Sequence, residues 1–168
     1  MDTPACGRRG HRELRRGRAS LPHHVYHVTS STIGRRRRFR DFDAACAASR
    51  CFERPAVLGD ARMLAWVLMP DHAHWLLQLG SEVSLDAVVQ RLKAASSRAA
   101  NRATNRRGSL WAPAYFERAL RVEDDIAGVA RYIVANPLRA GLVTSVRSYP
   151  FWNAIWLPYR TPPLDPLL

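Results

Sequence analysis

The sequence predicts a domain that mixes β-strands and α-helices, and four stretches carry this prediction. Residues 23–31 are rich in β-branched and aromatic side chains, which favours a strand. Residues 66–79 hold two apolar runs separated by Met69-Pro70, typical of two adjacent buried strands. Residues 85–102 and 126–136 repeat apolar side chains at helical spacing. With 168 residues and 47% hydrophobic content, the chain is long enough for one domain with a real core.

The charge of the chain predicts a polyanionic partner. The chain has 26 basic and 14 acidic residues, a net charge of +12 and a pI near 11.0. Lys93 is the only lysine, so the other basic residues are arginines. Arginine grips phosphate bidentately and stacks on bases, so this bias suits nucleic acid, although a GC-rich coding sequence would also produce it. No apolar run approaches the ~20 residues that span a bilayer. We therefore expect no membrane partner.

The cysteines and the N-terminus indicate the compartment and the domain limits. Three cysteines without C-x-x-C spacing fit a reducing environment, and the basic start lacks the apolar core of a secretion signal, so we expect a cytoplasmic protein. Residues 1–19, rich in Arg and Gly, are expected to be a flexible basic arm. The domain is predicted over 20–152 and a Pro-rich tail over 153–168.

The segment after the first strand is strongly basic. Arg35, Arg36, Arg37 and Arg38 form a run that we interpret as a phosphate clamp, with Phe39 as a stacking residue. The alternative is a solvated turn with Phe39 anchored in the core. Asp41 is predicted to cap a helix that runs to about Arg54. The inward positions expected on that helix are Phe42, Ala45, Cys46, Ala48 and Phe52.

Two histidines stand at the start of the second apolar run. Because alternate residues of a strand point to the same face, His72 and His74 project together while Ala73 points away. Two adjacent imidazoles make half of a metal site. The alternative is a pair of structural histidines at a strand end. His27, which shares a face of the first strand with Thr29, either approaches this site or makes the structural hydrogen bond that is more common for a strand histidine. Asp71 is either a turn residue or a partner that orients a histidine ligand.

The predicted helix over 85–102 has two different faces. One face is apolar, and the other carries the basic residues Arg91, Lys93, Arg98 and Arg102. This basic face is either simply solvated or lies along DNA. A further strand is expected within residues 114–121, where Phe116, like Trp111 before it, is interpreted as a core or lip residue.

The last predicted helix opens at Glu123-Asp124-Asp125, where negative charge favours a helix N-terminus, and ends at Asn136 because Pro137 follows. Tyr132 and Asn136 are spaced i, i+4 and share a face of this helix. Two segments far apart in the sequence thus supply groups for a site: the imidazoles of His72 and His74, and the phenol and amide of Tyr132 and Asn136.

Two segments carry a resemblance to a known family. Met69-Pro70-Asp71-His72-Ala73-His74 and residues 132–143, Tyr-Ile-Val-Ala-Asn-Pro-Leu-Arg-Ala-Gly-Leu-Val, resemble the single-tyrosine HUH transposases (IS200-like), and more narrowly the REP-associated tyrosine transposase (RAYT) branch. The resemblance covers about residues 20 to 152. It implies an α+β fold: a ferredoxin-like antiparallel sheet with helices packed on one side, plus a C-terminal helix that carries the nucleophile.

The resemblance also implies an activity: metal-dependent cleavage and joining of single-stranded DNA at hairpin-forming palindromic repeats, that is, DNA transposition and recombination. His72 and His74 would be metal ligands, Tyr132 the nucleophile and Asn136 a third ligand, with Mn²⁺ or Mg²⁺ as the cofactor. Asn136, where the insertion-sequence branch has glutamine, favours the RAYT branch. The branch suggests a monomer, and DNA work suggests association with the nucleoid. The alternative is a non-catalytic DNA- or RNA-binding protein that retains the transposase fold.

Overall fold

A five-stranded antiparallel sheet forms the centre of the computed structural model, which describes residues 20–156. The predicted arm of 1–19 and the tail beyond residue 156 lie outside the described residues. The strands are β1 Val25–Ser31, β2 Arg62–Leu68, β3 His72–Gln78, β4 Phe116–Ala119 and β5 Trp152–Ala154. Their order across the sheet is β4-β1-β3-β2-β5, with every neighbouring pair antiparallel. The predicted α+β class and antiparallel sheet are confirmed.

The described residues form three longer α-helices and two single-turn α-helices, apart from short 3₁₀ turns. They are α1 Phe42–Ser49, α2 Pro55–Leu58, α3 Leu85–Ala103, α4 Ile126–Val134 and α5 Asn136–Arg139. Asp41, Ser84 and Asp125 cap the three longer helices: each side-chain oxygen accepts a hydrogen bond from the backbone N–H three residues on. Such caps satisfy amide donors that the first helical turn leaves unpaired, which explains why these helices begin where they do.

The two faces of the sheet carry different cores. On one face, Val28, Trp75 and Leu77 pack with residues of α1, α2 and α3. On the other face, Val67 and Leu76 pack with Ala130, Ile133 and Val134 of α4. Because β3 alternates, His72 and His74 share the face of Leu76. The histidine pair and the helix of Tyr132 therefore lie on the same side of the sheet.

The first helix differs from its predicted extent. Its α-helical bonding ends at Ser49, and the backbone N–H groups of Cys51 and Phe52 bond to carbonyls three residues earlier, which tightens the turn before α2. Phe52 is buried as expected, but Phe42 is 62% exposed. Phe42 occupies the first helical position, where its ring lies against Phe151, 5.4 Å between centroids. The expectation that Phe42 points inward was wrong.

The C-terminal part of the domain extends beyond the predicted boundary. Asn153 and Ala154, assigned to the tail, belong to β5, where Ala154 pairs with Ala65 of β2. A three-residue strand is too short to show a recognisable alternation in the sequence. Across residues 20–156, no helix combines the length and the apolar character that a bilayer crossing requires.

Candidate active site

The hairpin between β2 and β3 positions the two histidines. The N–H of Met69 donates to the carbonyl of His72 at 2.8 Å, which closes the hairpin around Pro70 and Asp71. Ala73 is fully buried in the core on the opposite face, so the flanking rings are turned to the face of α4. The two imidazoles stand edge to face, with centroids 5.0 Å apart. The predicted projection of His72 and His74 to one side is therefore observed.

Asp71 orients the His72 ring. Nδ1 of His72 lies 2.6 Å from the Asp71 carboxylate, and the Arg35 guanidinium lies 3.4 Å from the same carboxylate. Burial alone would raise the pKa of Asp71, but the hydrogen bond to His72 and the positive charges of His72 and Arg35 outweigh it and lower the pKa. A carboxylate only accepts hydrogen bonds, so Nδ1 carries the proton and the lone pair is left on Nε2.

Two residues of β1 contact the His74 ring. Nδ1 of His74 lies 2.9 Å from Thr29 Oγ1 and 3.1 Å from His27 Nε2. The register explains the contact, because Thr29 is the cross-strand partner of His74. Burial, followed by the charges of the nearby cationic side chains, lowers the pKa of His74 to about 3, so its imidazole is neutral at pH 7. His72 and His27, when protonated, contribute to this lowering, followed by the guanidinium groups of Arg139 and Arg35.

The histidine pair fits a divalent cation. With metal–nitrogen bonds of about 2.1 Å, two imidazoles that share one ion have ring centres roughly 5 Å apart; the observed 5.0 Å meets that requirement. Ligating imidazoles must be neutral, as His74 is, and each has its Nδ1 engaged by a neighbour, as in metal sites. Within residues 20–156, no group of three or more His, Cys, Asp or Glu side chains could hold a metal. Among the described residues, an amide oxygen is available as a further ligand, beside water or substrate oxygens.

Tyr132 lies on α4 with its side chain 51% exposed. Its neighbours Ile133 and Val134 are buried against the sheet, which fixes the helix on the histidine face. The Arg139 guanidinium lies over the Tyr132 ring, 4.1 Å from the centroid. The charge of Arg139 also contributes to the lowered pKa of His74. Arg139 thus contacts the phenol and acts electrostatically on His74.

Asn136 caps the helix of Tyr132. Its Nδ2 donates to the carbonyls of Ile133 at 2.8 Å and of Tyr132 at 3.3 Å. Because both partners are acceptors, the orientation of the amide is fixed and its oxygen remains for another partner. The helix ends at Val134, and Pro137 falls in the short helix α5, so the predicted end at Asn136 is two residues late.

The arginine loop is fastened to the turn that carries the histidines. The N–H of Thr32 donates to the Asp71 carbonyl and that of Phe39 to the Pro70 carbonyl, both at 2.9 Å. Gly34 adopts a φ of 61° and Arg35 one of 49°, a left-handed pair that shapes this turn. The side chains of Arg35, Arg36 and Arg37 are exposed, and Arg38 is half-buried. Phe39 is buried against Trp111 at 5.1 Å, so the expectation that it stacks on a ligand was wrong.

The basic residues of α3 do not share the histidine face, because α3 packs in the opposite core. Arg98 and Arg102 are exposed there, and Arg91 donates to the Ala87 carbonyl of its own helix. Lys93 was predicted to contact DNA, but in the structure its ammonium is bound within the protein. Its ammonium donates to the carbonyls of Ala112, Pro113 and Ala114 at 3.0–3.3 Å, which ties α3 to the segment before β4.

Several residues around the pair were either left open between two interpretations, as His27 and Asp71 were, or not assigned to the site from the sequence. His27 and Thr29 contact His74, Asp71 contacts His72, and Arg139 contacts Tyr132. Strand alternation already placed His27 and Thr29 on one face, but no local pattern states which strand lies beside β3. Arg139 lies within the Tyr132–Val143 motif, seven residues from Tyr132, which is two helical turns.

Comparisons with known proteins give a consistent result. Residues 20–136 match the family model described as "Transposase IS200 like". The chain is 29% identical over 89 residues to the REP-associated tyrosine transposase of Escherichia coli K12, and 29% identical over 98 residues to a candidate REP-associated tyrosine transposase of Haemophilus influenzae. Each alignment covers 52% of this chain and 50% or 56% of the relative, so the chain spans about half the length of these curated relatives.

Two solved structures share the fold. One is a REP-associated tyrosine transposase bound to a REP hairpin, with a TM-score of 0.62 and 22% identity, covering 80% of this chain and 79% of the other. The second is a crystal structure of a candidate transposase from Deinococcus radiodurans, with a TM-score of 0.51 and 26% identity, covering 71% of this chain and 95% of the other. The α+β architecture is therefore one that transposase structures share.

Proposed function

Because this chain belongs to the family of IS200-like transposases, we propose that it cleaves and rejoins single-stranded DNA through Tyr132, with a divalent metal ion. The observation that carries the proposal is the arrangement on one sheet face. The His72 and His74 rings stand 5.0 Å apart, and Arg139 packs on Tyr132 while its charge lowers the pKa of His74. A nucleophile and a metal-binding pair are what phosphodiester transesterification requires.

His72 and His74 would hold the cation through Nε2, since their Nδ1 atoms face Asp71 and Thr29. Asn136 is the proposed third ligand, through the amide oxygen that its capping bonds leave available. Two nitrogen ligands with oxygen ligands suit Mn²⁺ better than Mg²⁺, which prefers oxygen throughout. When bound, the cation supplies positive charge that polarises the non-bridging phosphate oxygens.

Tyr132 performs the covalent step. Its hydroxyl oxygen attacks the phosphorus in line and loses its proton, while the bond from phosphorus to the 3′ oxygen breaks. The products are a 5′-phosphotyrosine link and a free 3′-hydroxyl, which takes up a proton. The phosphate ester is exchanged rather than hydrolysed, so a second 3′-hydroxyl can reverse the step and join a new strand without ATP. Arg139 holds the phenol ring in place by its cation–π contact.

Hairpin-forming palindromic DNA is the proposed substrate. The structural relative bound to a REP hairpin and the REP-associated relatives support this choice. Arg35, Arg36 and Arg37 are exposed on a loop fastened to the Pro70–Asp71 turn, so they are placed to contact phosphates that enter the site. Counterion release then makes binding weaken steeply with salt. We propose a monomer acting at cytoplasmic, nucleoid-associated DNA.

The experiment is a covalent-trapping assay. Labelled single-stranded hairpin DNA is incubated with the protein and Mn²⁺, and denaturing electrophoresis detects a protein–DNA adduct. The adduct should form with wild-type protein, disappear with EDTA, and disappear in Tyr132→Phe, which retains DNA binding. Tyr149→Phe is the matched control, because the Tyr149 hydroxyl donates to the Leu68 carbonyl and the side chain is partly buried against the core. Binding without any adduct would instead support the non-catalytic alternative.

A further inference from the structure

An exposed aromatic side chain stands on the edge strand beside the histidine site. Phe116, the first residue of β4, is 69% exposed. It is the cross-strand partner of Thr29, which is in turn the partner of His74. Cross-strand partners share a face, so Phe116, Thr29 and His74 form one row on the histidine side of the sheet. Neighbouring strands lie about 4.8 Å apart, which places the Phe116 backbone about 10 Å from that of His74.

This part of the sheet face lies outside the area on which α4 packs. Helix α4 packs mainly on β2, β3 and β5, and Val25 and Leu120, at the end of β1 and β4 remote from Phe116, share its core. On the other side of His74, at the β1–β4 half, Thr29 and His27 are half-buried, and Phe116 and Arg118 are exposed. The result is an open shelf, which we define as Phe116, Arg118, His27 and Thr29. It begins at the His74 ring, because Thr29 Oγ1 lies 2.9 Å from Nδ1 of His74.

The charges around the shelf favour an anionic ligand. Arg118 is the partner of His27 across the strands, and its charge contributes to the lowered pKa of His27. Its guanidinium remains 61% exposed although it lies 3.3 Å from Asp124. Arg35 stands at the other end of the site, on Asp71. An aromatic ring among exposed arginines is the combination that binds single strands, in which cations hold phosphates and rings stack on bases.

We propose that Phe116 is a stacking platform for one nucleobase of single-stranded DNA, whose adjoining phosphate lies beside His72 and His74. The inference rests on the proposed function and adds the binding site that positions the strand. Stacking on phenylalanine has no base-edge readout, so this contact orients the strand and leaves sequence choice to other contacts. Arg118 pairs with the phosphate of the stacked nucleotide.

The test uses single-stranded hairpin DNA with 2-aminopurine placed singly at each unpaired position, together with the full-length protein. Stacking quenches 2-aminopurine, so wild-type protein should quench the fluorescence at one position near the cleaved phosphate. Phe116→Ala should restore that fluorescence and weaken binding by about 5- to 150-fold. Phe116→Trp should keep both. Phe116→Leu separates an aromatic contact from simple apolar bulk and should behave like Phe116→Ala.

Phe42→Ala is the matched control, because Phe42 is an equally exposed phenylalanine, 62%, on α1. It should leave both quenching and affinity at wild-type levels. Equal affinity and equal quenching in Phe116→Ala and wild type would overturn the stacking site and leave the proposed function standing. A wild-type protein that neither binds the hairpin nor forms the Tyr132 adduct would overturn both.

Discussion

Thr29 Oγ1 lies 2.9 Å from Nδ1 of His74, and the two residues are cross-strand partners on β1 and β3. A His74 that binds metal through Nε2 must carry its proton on Nδ1, where Thr29 and His27 can accept it. The contact therefore holds the orientation of the ring and is compatible with the tautomer that leaves Nε2 for the metal.

Removing these acceptors should weaken metal binding. Thr29→Val, and separately His27→Phe, should lower Mn²⁺ affinity by about 10- to 100-fold. Titration calorimetry on the protein without DNA measures this, and a thermal melt checks the fold. His24→Ala is the control, since His24 is exposed. Wild-type Mn²⁺ affinity in both variants would refute a positioning role for β1.

Arg139 should affect the covalent step through Tyr132. Arg139→Ala removes the guanidinium 4.1 Å from the ring, and we expect adduct formation to slow by roughly tenfold. Arg139→Lys keeps the charge but loses the planar group, and should recover only part of the rate. Arg131→Ala is the control, because Arg131 is an exposed arginine next to Tyr132 on α4 that bonds to Asp125. An unchanged rate in Arg139→Ala would contradict the proposed contact.

The stability of the metal-free protein should fall in acid because of His74. The pKa of His74 is lowered from 6.5 to about 3 in the folded protein, so below pH 6.5 the unfolded chain takes up a proton that the folded chain does not. The stabilisation is complete above pH 6.5 and is lost as the pH falls toward 3, by up to about 1.4 kcal/mol per pH unit. His27, whose pKa is also lowered, acts in the same direction.

Urea denaturation in EDTA, at several pH values from about 7 to about 4, measures this dependence. His74→Asn should flatten it, whereas the exposed His24→Asn should leave it unchanged. An identical pH dependence in His74→Asn and wild type would show that His74 titrates normally.

Lys93 should matter for stability and not for DNA. Its ammonium donates to three backbone carbonyls, so Lys93→Met leaves them without this donor and should cost about 1 to 3 kcal/mol in the free energy of unfolding. Hairpin affinity, measured under conditions in which both proteins are folded, should stay within about twofold of wild type, as expected for a neutral substitution. Arg98→Ala, an exposed cation on the same helix, should not change stability. A weaker affinity with normal stability in Lys93→Met would restore the DNA-contacting interpretation.

The sequence predicted those parts of the site that depend on local periodicity. Strand alternation was enough to place His72 and His74 on one face, and the cap at Asp41 and the start of α3 followed from local helix signals. The antiparallel sheet and the joining of the two distant motifs came from the family resemblance and not from periodicity.

The remaining contacts depend on tertiary pairing that no local pattern encodes. The neighbour of β3 could not be identified, so Thr29 was missed and His27 was left between a place at the site and a structural hydrogen bond. Lys93 looked like its arginine neighbours on α3, because the carbonyls that bind it come from a segment 19 to 21 residues later. Of the two interpretations of Phe39, the core anchor is the one observed, whereas Phe116, expected as a core or lip residue, is exposed.

The most direct measurement is the identity of the residue that becomes linked to DNA. The adduct formed with Mn²⁺ and hairpin DNA is digested with nuclease and protease, and mass spectrometry locates the residual nucleotide on one of the five tyrosines, Tyr26, Tyr115, Tyr132, Tyr149 and Tyr159. We predict a 5′-phosphotyrosyl linkage on Tyr132 alone. A linkage on any other tyrosine, or a cleaved strand with no protein linkage, would contradict it.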